Sequence, residues 1–394
     1  MSAKAAGRSG TAKAVPEHGA APVAKAVREA AEDSLPQALG FRMPAEWEPH
    51  AATWIAWPHN ASDWPGKFGA IPWIYVEIVR LLASHERVEI LVRDAALEQR
   101  ASRMLQLAGV PMERVGWHRW ATNRVWMRDS GPIFVRNAAG EVGVTDWKFN
   151  AWAKYDDWQM DDRNPERVAR RLQMRRWQPV CEDARGRVRR VVLEGGSIDT
   201  NGRGSLLTTE ECLLSEVQQR NPGLGREQLE QVFAQYLGVE QVIWLGRGTA
   251  GDDTHGHVDD ITRFVGAETV VTAVEPDAQD ENHAPLKENL ARLRAARTPK
   301  GRQWTVVELP MPRAVVFRGQ RLPASYANFY VANGCVLVPT FHDARDRVAL
   351  QILAELFPER EVIGIHCMDF IWGLGALHCM TQQQPAGAAG QETR

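Results

Sequence analysis

The chain has 394 residues, with 47 basic and 49 acidic side chains and a formal net charge of −2. So even a balance supplies no global field to recruit nucleic acid or an anionic membrane, which makes a small-molecule partner the default expectation. No run approaches the roughly 18 apolar residues that a membrane-spanning helix needs, and no charged-then-apolar start suggests a secretory signal, so a cytoplasmic protein is expected. Its five cysteines (Cys181, Cys212, Cys335, Cys367 and Cys379) lack Cys-x-x-Cys spacing, which fits reduced thiols better than a disulfide scaffold or a structural zinc site.

Residues 1–38 are rich in Ala, Gly and Lys and hold no aromatic residue, a composition that predicts a disordered tail. Residues 39–385 read as one catalytic domain, and the small, polar residues 386–394 as a flexible C-terminal tail. The folded part opens at Met43-Pro44-Ala45-Glu46-Trp47, followed by the strand-like run Ala52 to Pro58. From there a helix-strand-loop-strand module recurs. A helix capped by Asp94 and closed by Gly109 leads through the loop Thr122–Asp129 to a strand at Ile133–Val135; a second copy starts at Pro165 and reaches a strand at Val188–Leu193. In the third, Leu229, Val232, Phe233, Tyr236 and Leu237 share a helix face ended by Gly238, before strands Gln241–Leu245 and Ile261–Val265. The fourth helix carries Leu286, Leu290 and Leu293, with strands Thr305–Leu309 and Asn328–Pro339. The fifth uses Val348, Ile352, Leu353 and Leu356 before a strand at Glu361–Ile365. Five such units, none able to bury its apolar face alone, suggest blades about a centre; the helix Pro72–Ala83 and strand Val88–Val92 leave their register open, and a doubly wound sheet is the competing architecture.

Four stretches carry chemistry. Gly373 to Cys379 places a thiol after a Gly-containing loop; Trp126 to Pro132 sets Asp129 ahead of a Gly-Pro turn; Glu194 stands beside two glycines at a strand end; and Gly251 to Asp260 gathers two imidazoles and four carboxylates. A thiol, an imidazole and several carboxylates suit nucleophilic attack on a cation. A guanidinium is planar and positively charged, so carboxylates can grip its fork, while its poorly electrophilic carbon needs a thiolate as nucleophile and a proton donor for the departing nitrogen. An unperturbed thiol, with a pKa of about 8.5, is mostly protonated at neutrality, and a bound cation would help deprotonate it. His255, His257 and Asp259 also offer ligands for a divalent metal, so a metal-dependent hydrolase is the alternative from another class; a guanidine-binding module without turnover is a third.

Met43 to Pro58, Trp126 to Pro132, Leu193 to Ile198, Leu207 to Ser215, Arg220-Asn221-Pro222, Gly256-His257-Val258-Asp259, Ser325 to Tyr330 and His378 to Pro385 together resemble the agmatine deiminase and bacterial peptidyl-arginine deiminase family of guanidino-group-modifying enzymes. The resemblance covers about residues 41–385. It implies an α/β fold, a five-bladed ββαβ propeller with pseudo-fivefold symmetry and the site in its central well. It implies Cys379 as the nucleophile forming a covalent amidino-thioether, His257 as the acid and later the base, Glu194 as the carboxylate holding its ring, Asp129 and Asp259 as guanidinium clamps, and Trp126 and Asn328 as channel-lining residues. No cofactor is implied. The implied partner is a small cationic guanidino substrate, agmatine before free or peptidyl arginine, and a homo-oligomer is compatible with this reading. The loop Trp372-Gly373-Leu374-Gly375-Ala376-Leu377 departs from the glycine run and Asn-Ile of the agmatine enzymes, which puts the tail pocket in question.

Overall fold

The computed structural model describes residues 34–183 and 186–388. Among them, five sheets repeat one plan: an antiparallel pair, then a helical crossover to a strand parallel to the second. In the first, His50–Ala56 pairs antiparallel with Gln382–Pro385 and, after helix Ile71–Ala83, parallel with Arg87–Leu91. The others are Ile133–Arg136, Val142–Thr145 and Arg175–Trp177; Asp199–Thr200, Ser205–Thr209 and Gln241–Leu245; Thr262–Gly266, Thr269–Val274 and Thr305–Pro310; and Tyr330–Val331, Cys335–Thr340 and Glu361–His366. Crossovers of this kind bury one helix face against the sheet, and helix Arg226–Leu237 does so with Leu229, Val232, Phe233, Tyr236 and Leu237 before Gly238 ends it at a left-handed φ of 66°.

The register differs from the expected one. The helix capped by Asp94 (Ala95–Leu107) opens no unit of its own; it crosses to Val115–His118, which adds a fourth strand to the first sheet. Val188–Arg190 belongs to a side hairpin with Val180–Glu182, while the second unit closes with Arg175–Trp177. The run Asn328–Pro339 is broken by a turn at Asn333-Gly334, where the Asn333 side chain bonds both the N–H and the C=O of His50 and His85 leaves no room for a Cβ on Gly334. The terminal boundaries shift too. Residues 1–33 and 389–394 lie outside the described residues, but Ser34 accepts a hydrogen bond from Trp177 Nε1 at 2.8 Å, and Ala386 and Ala388 donate to Pro49 and Gly140, so the ordered chain extends past both expected tail boundaries. Among the described residues no helix is long and apolar enough to cross a membrane.

Glu46, a buried carboxylate, joins four of the units. Its oxygens meet Arg128 at 3.2 Å, Arg263 at 2.9 Å and His378 at 2.8 Å, and accept the Val331 N–H at 2.8 Å. Burial alone would raise its pKa, yet Arg263, His378 and Arg128 hold it well below the usual carboxylate range. The sign follows. A carboxylate depressed in the fold contributes stability above its unfolded pKa, here 4.5, and that contribution is lost as the pH falls through the folded value. Glu46→Ala takes a buried carboxylate from two buried guanidinium groups, so urea unfolding at pH 7 should show a loss of about 3–5 kcal/mol; a loss below about 1 kcal/mol would mean that the network is not a structural tie.

Candidate active site

The repeat explains why residues far apart in sequence meet. Each expected site residue sits just upstream of, or in the turn entering, the leading strand of a unit: Asp129 in Met127–Ser130, Glu194 before Gly195–Ser197, His257 and Asp259 at Val258–Asp260, Asn328 before Tyr330, and Cys379 in Leu377–Met380. One end of every antiparallel pair therefore delivers its polar turn to the same place.

The meeting point is marked by Gly196. A Cβ built there would lie 2.6 Å from His257 Nδ1, 2.8 Å from Asp129 Oδ1 and 3.0 Å from Asp259 Oδ2, so an imidazole and two carboxylates converge on one small volume that only glycine leaves free. Asp129 is oriented by the Gly196 N–H, 3.1 Å from Oδ1, and by Trp152 Nε1, 2.9 Å from Oδ2. Burial, reinforced by Asp259 and Glu194, raises its pKa to about 6 against the opposing charge of His257.

His257 is completely buried, with Nδ1 3.7 Å from Asp129 and Nε2 3.7 Å from Glu194. Burial lowers its pKa, but Asp129, Cys212 and Glu194 together raise it well above the ordinary histidine value, so the ring is held as an imidazolium at neutrality. Glu194 is fixed in turn by Arg220 Nε at 3.0 Å, whose Nη2 donates to Thr254 O at 2.5 Å. Burial opposes its ionisation; Arg220 and His257 overcome that and bring its pKa down to about 2.

Cys379 is buried to 5% exposure. Asn328 Nδ2 lies 3.1 Å from Sγ, and Asp259 Oδ2 lies 3.8 Å away. Burial first, then Asp259, Asp260 and Asp129, pushes the thiol far up, so the free protein holds it protonated. Asn328 does not line the cavity as expected. It stands behind the thiol, with Oδ1 accepting the His378 N–H at 2.9 Å and Nδ2 also donating to Asp260 at 2.9 Å, and so orients the turn that carries Cys379. Asp259 is held by His378 Nδ1 at 2.7 Å while its other oxygen has no partner.

Cys379, Asp129 and Trp126 face a cavity of about 410 Å³, with Arg124, Trp152, Tyr155 and Trp372 among its walls. The glycines before the thiol line the same cavity and also make room for protein rings, since a Cβ on Gly373 would strike the Trp64 indole at 2.6 Å and one on Gly375 the Trp126 indole at 2.8 Å. His257 Nδ1 and Nε2, Asp259 Oδ1 and Glu194 Oε2 are all buried without hydrogen-bond partners. Such orphans are costly in a protein interior: His257 Nδ1 stops 3.7 Å short of Asp129 and Nε2 3.7 Å short of Glu194, and the open oxygen of Asp259 has no hydrogen-bond partner. The His255, His257 and Asp259 metal set is not assembled, because His255 turns away to Ser215 Oγ at 3.1 Å. Among the described residues, the group with ligand atoms close enough to share an ion is Glu194, Cys212 and His257, and there the Arg220 guanidinium on Glu194 opposes a dication.

The sequence reading missed Glu46, Cys212, Arg220, Arg263 and His378. Glu46, Cys212, Arg220 and His378 stood inside motifs already singled out, so the signal was present; nothing local marked Arg263 as the partner of Glu46.

The Porphyromonas-type peptidyl-arginine deiminase family matches residues 42–385. A protein named agmatine deiminase from Stutzerimonas stutzeri is 37% identical over 383 residues, covering 90% of this chain and 98% of that protein, and one of the same name from Ectopseudomonas mendocina is 35% identical over 376 residues with the same coverage. Among solved structures, the agmatine deiminase of Enterococcus faecalis superposes with a TM-score of 0.80 at 31% identity, over 90% of this chain and 98% of that one. The matched class is that of hydrolases acting on carbon–nitrogen bonds in linear amidines. The chain belongs to the Porphyromonas-type peptidyl-arginine deiminase family.

Gly196→Ala tests the convergence. The protein should fold, and activity on its substrate should fall by at least about a hundredfold, because displacing groups around the reacting centre by an ångström is enough for that loss. Unchanged turnover in the folded variant would show that the space at Gly196 is not used.

Proposed function

We propose that this protein hydrolyses a guanidino group to a ureido group and ammonia through a covalent intermediate on Cys379, with agmatine as substrate and N-carbamoylputrescine as product, in the cytoplasm. The observation that carries the proposal is the set of unpartnered buried atoms on His257, Asp259 and Glu194 beside a thiol kept neutral by surrounding carboxylates. We further take the five ββαβ units as blades of a propeller with this site in its well, a reading supported by the common position of the site residues before each leading strand.

In this mechanism the guanidinium enters between Asp129 and Asp259, which accept its N–H groups and compensate its charge. Its positive charge offsets the burial and the carboxylates that keep Cys379 protonated, so the thiol gives up its proton to the solvent of the cavity as the substrate seats. The thiolate bonds to the guanidinium carbon. His257, already an imidazolium, donates its proton to the departing nitrogen, and the carbon–nitrogen bond breaks to leave a cationic amidino-thioether. The now neutral imidazole takes a proton from water as the oxygen adds to the same carbon. The carbon–sulfur bond then breaks, the thiolate returns, and the remaining proton leaves on ammonia as ammonium. Glu194 holds the ring and sustains its charged form, while Asn328 keeps the thiol turned toward the substrate.

Free or peptidyl arginine is the rival substrate, favoured by the family's description. Ammonia release from agmatine, arginine and a blocked arginine peptide separates the three. Cys379→Ala should abolish turnover, and trapping the wild-type enzyme with substrate should add an amidino group to the Cys379 peptide in mass spectra; continued turnover with no adduct would defeat the covalent mechanism. His257→Ala should cost at least about a hundredfold in kcat.

The pH dependence has a stated sign. Asp129, with a pKa of about 6 in the free protein, is an effective clamp only above that value, so kcat/KM should fall as the pH drops through about 6. A flat profile from pH 7 to 5 would remove Asp129 from cation capture.

A further inference from the structure

The cavity that Cys379 faces must also receive whatever the guanidinium is attached to. Among its charged lining residues are Asp63, Arg124 and Asp253 in addition to Asp129. Arg124 has both arms occupied: Nη1 donates to Asp63 Oδ1 and Nη2 to Asp157 Oδ1, each at 2.9 Å, and its guanidinium lies 4.3 Å from the Tyr155 ring centroid. Its buried Nε is left without a partner, so one N–H is open, but there is no pair with which to fork a carboxylate. Asp253 is likewise occupied, one oxygen by the Lys154 ammonium and the other by the Tyr155 hydroxyl at 2.6 Å.

Asp63 is different. Its side chain is 2% exposed, and Oδ2 has no hydrogen-bond partner. The hydroxyl of Tyr75, whose ionisation is opposed first by burial and then by the charge of Asp63, is a second buried oxygen without a partner. Burial and Asp157 leave the Asp63 carboxyl with a pKa of about 6 even with Arg124 attached, the condition of a carboxylate that one guanidinium does not fully compensate. Its position is rigid. Asp63 ends the turn Ala61–Asp63, capped by Asn60, and the next residue is the buried Trp64, anchored by its indole N–H to Phe370 O at 2.7 Å.

We propose, on the basis of the guanidine reading above, that Asp63 reads the substrate's tail, its Oδ2 accepting a primary ammonium group at the far end of a linear guanidine. The ammonium supplies the charge-assisted donor that Oδ2 lacks. A neutral alkyl tail leaves that oxygen unpaired. The carboxylate of an amino acid finds Arg124 already engaged and Asp63 repelling it.

The test compares kcat/KM, by ammonia release, for agmatine and for n-butylguanidine, which has the same carbon chain without the amine. Wild type should prefer agmatine by about tenfold or more, the discrimination expected when a polar site is left unpaired. Asp63→Asn keeps an oxygen for Arg124 and removes the charge; it should erase most of that preference through KM and leave n-butylguanidine within about twofold of wild type. Asp157→Asn, which frees the other arm of Arg124 without touching the cavity wall, should leave the preference intact. Equal wild-type rates on the two compounds, or an equal loss on both in Asp63→Asn, would overturn the assignment while leaving guanidine hydrolysis standing. Turnover of neither compound by wild type would instead remove agmatine as the substrate, and the role of Asp63 with it.

Discussion

The contact on which the site depends is His378 held between two buried carboxylates, Glu46 at 2.8 Å and Asp259 at 2.7 Å. Glu46 lies among Arg128 and Arg263, so the scaffold side of the imidazole is rich in cations, whereas Asp259 faces the thiol and the cavity. Burial opposes ionisation of Asp259, but His378, with further help from His257 and Arg263, brings its pKa below the ordinary value and keeps it charged next to Cys379. One imidazole thus fixes the backbone that carries the thiol, through its own place in the turn, and the carboxylate beside it. The scaffold's ion pairs and the site's charge are parts of one network.

That network leaves the empty cavity unbalanced by design of its neighbours. Burial disfavours a thiolate first, and Asp259, Asp260 and Asp129 add to its effect. A cysteine so surrounded is inert toward chance electrophiles until a cation arrives. In the proposed mechanism two of these carboxylates, Asp129 and Asp259, also receive the guanidinium, so capture and activation become one event, with charge neutralisation as the link. The cost falls on the free protein, which carries orphaned buried atoms on His257, Glu194 and Asp259 that a well-packed core would not tolerate.

Much of this was legible in the sequence because turn chemistry is local. Gly-Pro after Asp129, Gly-Gly after Glu194 and the His-Val-Asp-Asp turn at His257 each announce a polar group projecting from a strand entry, and the residues so marked do converge around Gly196. Helix faces such as that of Arg226–Leu237 were equally plain from their period. The register of the units was not, because helix Ala95–Leu107 carries a full apolar stripe yet only adds an edge strand to the first sheet. Nor was the function of Asn328, since an amide facing a cavity and one braced behind a thiol have the same local sequence. Arg263 shows the limit most clearly: it sits within a strand, pairs with Glu46 and Asp199, and donates to Phe329 O, all partners far away in sequence that no periodicity could reveal.

The loop Trp372–Leu377, singled out as a departure near the tail pocket, acquires a physical account from what it packs against. Leu374 takes a left-handed φ of 66°, an uncommon conformation for a residue with a Cβ, and it does so between two glycines pressed against Trp64 and Trp126. Trp64 adjoins Asp63 in sequence, and Trp126 lines the cavity beside Asp129. The loop therefore packs against two indoles that themselves meet, their ring centroids 5.7 Å apart, one next in sequence to Asp63 and the other on the cavity wall with Asp129. A side chain at Gly373 would press on Trp64 and one at Gly375 on Trp126 and on Cys379, so a single stretch of chain sets how both rings and the thiol are seated.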